Sequence, residues 1–216
     1  MSILHHPDDA TLMSYAAGSL PEALSAVVVT HLAMCSRCRA VVADMEMLGA
    51  VLIGDETPAV MDRGVTRAAV GTSVADLDDT DDYHRSSGGD INGPITRLLG
   101  EDLDDLHWKR LGFGVWHYPI SLSETAGGDL RLLKVAPGQV MPEHGHGGSE
   151  LTLLLRGSYS DEVGTFQVGD VADLDDEIEH TPIAHPTDGC ICLIASEERA
   201  RFKSLFARIV QPLTGI

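Results

Sequence analysis

The first half of the chain repeats apolar residues at helical spacing. Asp8 or Asp9 is expected to cap a first helix that runs to Ala17, because aspartate accepts hydrogen bonds from first-turn amides. Pro21 suits the first position of a second helix. The residues predicted to share one face of that second helix are Leu24, Val27, Val28, His31 and Cys35.

Two further helices are predicted before residue 80. Ser36 is expected to cap a third helix that runs to about Leu52 and is closed by Gly54. A fourth helix is predicted from about Asp62 to Asp76, where small and apolar residues recur along one face. The N-terminal part of the chain is therefore expected to be all-α.

The second half changes to short apolar segments separated by glycine, proline and aspartate. Evenly spaced short strands of this kind are typical of a β-sandwich or a closed barrel. The last stretch, Glu197–Val210, fits either a strand or a short helix. The predicted strands include Leu130–Ala136, Glu150–Leu155, Phe166–Val168 and Cys190–Ala195.

An acidic stretch separates the two halves. Residues 54–107 carry thirteen acidic and four basic side chains, and the acidic run is followed by serine, glycine, asparagine and proline. This composition predicts an exposed linker within about residues 80–94. We therefore expect two domains, residues 1–85 and residues 94–216, with separate cores and an N-terminal domain that functions when isolated.

Composition and charge restrict the classes of function. The 216 residues carry 33 acidic and 15 basic side chains, a net charge of −18 at pH 7. Such a charge disfavours direct contact with the phosphates of nucleic acids and with anionic membranes. No apolar run approaches the roughly 18 residues that span a bilayer, and the N-terminus lacks the pattern of a signal peptide. A cytoplasmic protein with neither a nucleic-acid nor a membrane partner is expected.

Histidine and cysteine recur at metal-binding spacing at the end of the second predicted helix. His31 and Cys35 are four residues apart and project from one face, and Cys38 follows. Thiolates and imidazoles at this spacing suit tetrahedral zinc, with His5 or His6 as the fourth ligand. The alternative is a core histidine with two buried free cysteines, since cysteine is among the most buried residue types.

A second candidate metal site lies in the predicted β region. His144, His146 and Glu150 differ by even steps, so an extended strand places them on one side. His180 follows 30 residues after Glu150. Three imidazoles and one carboxylate suit Zn, Mn, Fe or Ni, whereas the alternative is a set of histidines on an exposed loop. The histidines without partner spacing are His84, His107, His117 and His185.

Cys190 and Cys192 form a second close cysteine pair. Two residues apart on a strand, they project to the same side. A disulfide between them would be strained, because about 6.6 Å separates Cα atoms two residues apart in a strand. Packing in the core and a redox or signalling role are both consistent with this placement.

The stretch that carries the second candidate metal site resembles the cupin signature. Residues 138–157 match the first cupin motif at every fixed position. The second motif is matched in part, because Gly169 and His180 are present but the usual proline, glycine and asparagine are replaced. The turn before His180 is therefore expected to differ from the family pattern. The replacing residues are Asp175, Glu177 and Ala184.

The N-terminal motif is similar to the zinc-binding anti-sigma motif, and the two modules together resemble the ChrR-type anti-sigma factors over nearly the whole chain. The resemblance implies a two-domain α+β protein. An all-α zinc-binding helical domain precedes an all-β cupin domain, a double-stranded β-helix barrel. The implied ligands are His6, His31, Cys35 and Cys38 for Zn²⁺ in the first domain, and His144, His146, Glu150 and His180 for Zn²⁺ or another divalent metal in the second.

The resemblance also implies a mechanism without enzymatic turnover. The helical domain would bind a sigma factor of the extracytoplasmic-function type and keep it from core RNA polymerase. The cupin domain would respond to singlet oxygen or an organic hydroperoxide, and the sigma factor would be released. The acidic charge complements the basic surfaces typical of sigma factors. The alternatives are a metal-dependent cupin enzyme of the dioxygenase type and a two-metal storage or structural protein.

Overall fold

Three helices occupy the N-terminal part of the structure. The computed structural model describes residues 2–57, residue 99, residues 102–198 and the backbone of residues 201–202. The predicted linker, the predicted fourth helix and most of the predicted element at 197–210 lie outside the described residues. The helices are α1 (Asp9–Ala16), α2 (Glu22–Met34) and α3 (Ser36–Gly54).

The described strands all lie after residue 108. They run antiparallel wherever they pair. They are β1 (Lys109–Gly112), β2 (Val115–Pro119), β3 (Asp129–Val135), β4 (His144–Gly145), β5 (Glu150–Ser160), β6 (Thr165–Gln167), β7 (Val171–Leu174), β8 (Glu179–His180), β9 (Ile183–Ala184), β10 (Cys190–Ser196) and β11 (Arg201–Phe202).

The helix boundaries follow from local hydrogen bonds. Asp8 caps α1, because its side chain accepts a hydrogen bond from the Thr11 amide at 2.6 Å. The cap of α3 is Cys35 and not the predicted Ser36, which is the first residue of the helix. The Cys35 sulfur takes this role because it accepts from the Cys38 amide at 3.5 Å, which also turns it towards the Cys38 side chain.

Within the described residues, no single helix is long and apolar enough to cross a bilayer, although α2 and α3 together, bent by 118°, meet the criteria of length and composition.

Two sheets build the C-terminal part. The larger has the neighbour order β1-β2-β3-β10-β5-β6, with β7 and β9 also paired to β5, and the smaller has the order β11-β4-β8. Side chains from both sheets line a cavity in this part of the structure. The predicted fold class, an all-α domain followed by an all-β cupin barrel, is confirmed.

The outer face of the larger sheet packs against α2. Leu132, Leu153 and Leu193 lie on neighbouring strands and belong to one apolar cluster with Val27 and Val28 of α2. Each of the five has no exposed surface. Full burial of an aliphatic side chain contributes about 1.5–3 kcal/mol, so this contact is a large part of the stability of both units.

A second apolar cluster fills the inside of the barrel. Leu154, Phe166, Cys190 and Cys192 are among its buried members. The expectation of one core per domain is therefore wrong, because the first cluster joins the helices to the sheet. The physical reason is the period-two alternation of strand side chains, which gives β3, β5 and β10 an apolar outer face that must be covered.

Candidate metal centres

The N-terminal cluster is assembled from three consecutive pieces of chain. His6 precedes α1, His31 lies in the last turn of α2, and Cys35 and Cys38 lie at the junction of α2 and α3. The ligand atoms of the four residues all lie within 4.8 Å of one another. Of the two candidates for the fourth ligand, His6 joins the cluster, whereas the His5 side chain faces Asp170.

The distances within this cluster fit a zinc ion. With Zn–N of about 2.0 Å and Zn–S of about 2.3 Å, tetrahedral angles place nitrogen and sulfur ligands about 3.5 Å apart. His6 Nδ1 lies 3.5 Å from Cys35 Sγ and 3.3 Å from Cys38 Sγ. His31 Nε2 lies 3.3 Å from Cys38 Sγ. Two sulfurs and two nitrogens form a closed donor set, as in structural zinc sites.

Burial controls the protonation of these donors. Desolvation lowers the pKa of His31 to about 4, so the imidazole is neutral near pH 7. Desolvation raises the pKa of Cys38 to about 12, helped by the neighbouring Cys35 sulfur. Zinc binds thiolate and neutral imidazole, so binding here would release thiol protons, and affinity would rise with pH.

The second cluster lies at one end of the barrel cavity. His144 of β4 and His180 of β8 are direct partners across two antiparallel strands. Glu150 is the first residue of β5, and His146 lies between β4 and β5. The ligand atoms of these four residues also lie within 4.8 Å of one another. His146, Glu150 and His180 are buried, and His144 is half-buried.

Hydrogen bonds orient the imidazoles of this cluster. His180 donates from Nδ1 to the Asp161 carboxylate at 2.7 Å, and His144 donates from Nδ1 to the Pro142 carbonyl at 2.8 Å. Both rings therefore turn Nε2 towards the cluster. His146 Nε2 lies 3.3 Å from His180 Nε2, close to the separation of two imidazole ligands on one tetrahedral ion. A carboxylate behind a ligand histidine is the usual outer partner of a metal site.

The carboxylate of the cluster is ionised despite its burial. Desolvation alone would raise the pKa of Glu150, but contact with His146 and the nearby His144 and His180 outweighs it and lowers the pKa. Desolvation is the largest cause of the lowered pKa of His144, which favours its neutral form. Three imidazoles and one carboxylate form a donor set suited to a divalent cation.

A cavity of about 380 Å³ opens beside this cluster. Arg131 and Tyr159 contribute polar groups to its wall, and the Tyr159 hydroxyl is buried with no hydrogen-bond partner among the described residues. Cys190 and Cys192 also line it, with Sγ atoms 3.9 Å apart. They are free thiols. Apolar lining residues include Leu133, Val135, Met141 and Ile194.

The structure brings together all eight residues that the sequence assigned to metal sites, in the two predicted groups. Sequence reasoning missed Asp161 and Asp170, the carboxylates that contact His180 and His5. No short-range signal marks either one, because both act across long stretches of chain. Of the remaining histidines, His107 is exposed and His185 lies 3.0 Å from the Asp188 carboxylate, whereas His84 is outside the described residues.

Comparison with known proteins gives matches to both halves of the chain. A family model described as the ChrR cupin-like domain matches residues 98–200. A zinc-finger family model matches residues 9–39. This match and the donor set of His6, His31, Cys35 and Cys38 together indicate zinc at the N-terminus.

Relatives extend the match to the whole chain. The anti-sigma-E factor ChrR of Cereibacter sphaeroides is 38% identical over 220 residues, covering 100% of both proteins. The crystal structure of Rhodobacter sphaeroides SigE in complex with the anti-sigma ChrR contains a chain that superposes with a TM-score of 0.74 at 38% identity. The superposition covers 90% of this chain and 100% of that one. Both relatives are anti-sigma factors, the class of protein that the sequence led us to expect. The chain belongs to the family of ChrR anti-sigma factors.

Proposed function

We propose that the chain binds a sigma factor of the extracytoplasmic-function type through its helical domain and releases it when the cupin domain meets an oxidant. Membership of the ChrR family supports the first step. Because a sigma factor acts with RNA polymerase, the proposed place of action is the cytoplasm. The proposed domain division is residues 1–85 for binding and residues 94–216 for sensing.

An exposed apolar surface on α3 supports the docking of a protein partner. It comprises five residues near the C-terminal end of the helix, each between 53% and 75% exposed. Contiguous apolar side chains at a protein surface mark interaction sites. This α3 surface consists of Met47, Leu48, Val51, Leu52 and Ile53.

Charge supports the choice of partner. The chain carries a net charge of −18, and sigma factors present basic surfaces to DNA. Opposite net charges accelerate encounter and disfavour partners of the wrong sign. The α3 surface would then supply apolar contact area, and the surrounding acidic residues would steer the approach.

The N-terminal zinc is proposed as a structural ion held by His6, His31, Cys35 and Cys38. It would join the segment before α1 to the α2–α3 junction, and so fix the direction in which α3 projects. Loss of this ion should remove the docking surface, because a closed structural zinc site contributes directly to folding.

The barrel cavity is proposed as the place where the oxidant acts. Two thiols, Cys190 and Cys192, and the thioether of Met141 line it beside the His144, His146, Glu150 and His180 cluster. Sulfur side chains are the groups most readily oxidised in proteins. A divalent metal held by the cluster would supply positive charge next to these sulfurs.

A paired assay tests the two halves of this proposal. Cys35→Ala should abolish co-purification with the sigma factor and give constitutive transcription from its promoters. His144→Ala should still bind and repress, but should respond poorly to singlet oxygen. Cys35→Ala protein that binds at wild-type affinity would contradict the role of the first site, and normal induction in His144→Ala would contradict that of the second.

A further inference from the structure

One segment of the cupin domain touches both candidate metal centres. The segment comprises residues 161–170, which include the turn after β5, strand β6 and the turn into β7, and we refer to it as the bridging segment. At its first residue, Asp161 accepts the hydrogen bond from His180. Near its end, Gly169 contacts His31 of the N-terminal cluster. The last residue, Asp170, contacts His5, which precedes the cluster residue His6.

The contact with His31 is direct. His31 Nδ1 donates a hydrogen bond to the Gly169 carbonyl at 2.9 Å, 138 residues away in the chain, while Nε2 faces the cluster. His31 has no exposed surface. The orientation of a ligand of the helical domain is therefore set by the backbone of the cupin domain.

Asp170 holds the segment that carries the other histidine. One carboxylate oxygen accepts from the backbone amides of Leu4 and His5, at 2.7 and 3.1 Å. The second oxygen accepts from the Gln167 amide at 2.9 Å and lies 3.3 Å from His5 Nδ1. Asp170 is 1% exposed, so these contacts are not exchanged for water. His6 is the next residue after this anchored pair.

Residues around the carboxylate strengthen the anchor. The Val171 amide donates to the His5 carbonyl at 3.2 Å, which continues the pairing along the start of β7. The His5 ring packs on Phe166 of β6, with ring centroids 4.6 Å apart. Both the backbone and the side chain of His5 are therefore held in place, directly before His6.

We propose that Gly169 and Asp170 of the cupin domain are positioning residues of the N-terminal metal site, and that this site reaches full zinc affinity only when the bridging segment is in place. Gly169 orients His31, and Asp170 holds the backbone that presents His6. The inference rests on the zinc assignment of the site and is independent of sigma binding.

The test measures metal affinity in the full chain without any sigma factor. In Asp170→Asn, one of the two carboxylate oxygens becomes an NH₂ group, so two of the four donors lose their acceptor. We expect zinc affinity at the N-terminal site to fall about 10-fold, the lower end of the cost of losing an outer partner, because Asp170 acts on His6 through the preceding residue. The thiolate-to-cobalt absorption of the Co²⁺ form should also shift, because the tetrahedron is distorted.

Asp161→Asn is the matched control, because it lies on the same segment and contacts only the other centre. It should weaken metal binding at the cupin cluster and leave the cobalt spectrum of the cysteine site unchanged. If Asp161→Asn and Asp170→Asn both weaken the two sites equally, the segment has only a general role in folding, and the proposal fails.

Gly169→Ala supplies a second perturbation that keeps the carboxylate. Gly169 has a φ of 91°, so alanine there is strained, and its Cβ would lie 2.8 Å from the Ile3 side chain, which must move. It should lower N-terminal zinc affinity while the cupin cluster still binds metal. N-terminal affinity within twofold of the wild-type value in both Gly169→Ala and Asp170→Asn would overturn the proposal.

A double-mutant cycle with His5→Ala identifies the contacts through which Asp170 acts. If Asp170 acts through the His5 side chain, Asp170→Asn costs little further zinc affinity once His5 is removed. If it acts through the two backbone amides, the two losses of affinity add. Either result supports a positioning role for Asp170. Wild-type zinc affinity in Asp170→Asn, in His5→Ala and in the double variant would contradict it.

Discussion

Three imidazoles of the two clusters use one ring nitrogen for a hydrogen bond to the protein and turn the other towards the cluster. His31, His144 and His180 each commit Nδ1 to an oxygen, and these oxygens belong to Gly169, Pro142 and Asp161. The same arrangement fixes the tautomer and the ring plane before any cation enters. Each site is consequently pre-organised, and its affinity depends on residues outside the donor set.

The cysteines provide the sharpest residue-level prediction. A fully loaded chain should contain about two metal ions, the tighter one at the thiolate site. Cys35→Ala should reduce the metal content to one ion per chain, as measured by elemental analysis after gel filtration. Cys190→Ala is the matched control, since it removes a buried thiol outside both clusters and should retain two ions. A wild-type content of one ion would contradict the two-site assignment.

The Tyr159 hydroxyl has no hydrogen-bond partner among the described residues and is buried against the cavity. A buried hydroxyl that lacks a partner has a desolvation cost of about 1–3 kcal/mol. Tyr159→Phe is therefore expected to leave the free energy of unfolding unchanged or to raise it by about 1 kcal/mol in urea titrations. Tyr118→Phe at a half-buried position is the control. If Tyr159→Phe instead lowered the free energy of unfolding by more than about 1 kcal/mol, the hydroxyl would have to be hydrogen-bonded to water or to a ligand.

Sequence was sufficient for the donors and insufficient for the residues behind them. His144, His146 and Glu150 fall within seven positions, so their spacing alone predicts a cluster. Asp161 and Asp170 acquire their contacts from the packing of β6 and its turns against distant segments. No spacing in the chain encodes a contact between residues 4 and 170, because it depends on how the two units meet.

At the scale of elements, β5 is the strand that joins the two cores. Leu153 faces α2 and Leu154 faces the barrel interior, and both lack exposed surface. The strand runs to Ser160, whereas its apolar pattern predicts an end at Leu155. It continues because β6 and β9 pair with its polar second half, which periodicity alone does not reveal.

Neighbouring leucines on β5 allow the two cores to be weakened separately. Leu153→Ala and Leu154→Ala should each lower the free energy of unfolding by about 2–5 kcal/mol, because each leaves a cavity. Leu153→Ala should also weaken N-terminal zinc binding, since it loosens α2 against the sheet, while Leu154→Ala should not. Urea unfolding measures the stability of both variants, and competition with a chelator measures their zinc affinity. Equal losses of zinc affinity in the two variants would contradict the assignment of Leu153 to the α2 side of β5 and of Leu154 to the barrel side.

At the scale of the whole molecule, the shared apolar cluster couples the two units thermodynamically. Removal of N-terminal zinc should therefore lower the melting temperature of the barrel as well as that of the helices. Calorimetry of the full chain, with Cys35→Ala compared with the wild-type protein, measures this. A barrel transition unchanged by Cys35→Ala would show that the contact contributes little.

The same coupling bears on the isolated N-terminal domain. Residues 1–85 are still predicted to bind the sigma factor, because the α3 surface and the zinc donors all lie within them. Without the cupin domain, however, α2 loses the cover of the sheet, and His31 loses the Gly169 carbonyl. We expect the fragment to require more zinc for the same occupancy than the full chain, as measured by chelator competition. Equal zinc requirements would contradict this.

Net charge gives a prediction about association kinetics. The association rate with the sigma factor should fall as salt is raised, because salt screens the long-range attraction that the net charge of −18 produces. The dissociation rate should change less, since the α3 surface is apolar. Stopped-flow measurements between low and high ionic strength distinguish the two rates. An association rate independent of salt would contradict electrostatic steering.

The hydrogen bond between His31 and Gly169 also has a consequence for protein synthesis. Its partners are 138 residues apart, and a ribosome adding about 5–20 residues per second needs about 7–28 seconds to make that stretch. During this interval α2 has been made but the Gly169 carbonyl has not. A newly made chain therefore passes through a period in which its first metal centre can still lose zinc, and the synthesis of the bridging segment closes that period.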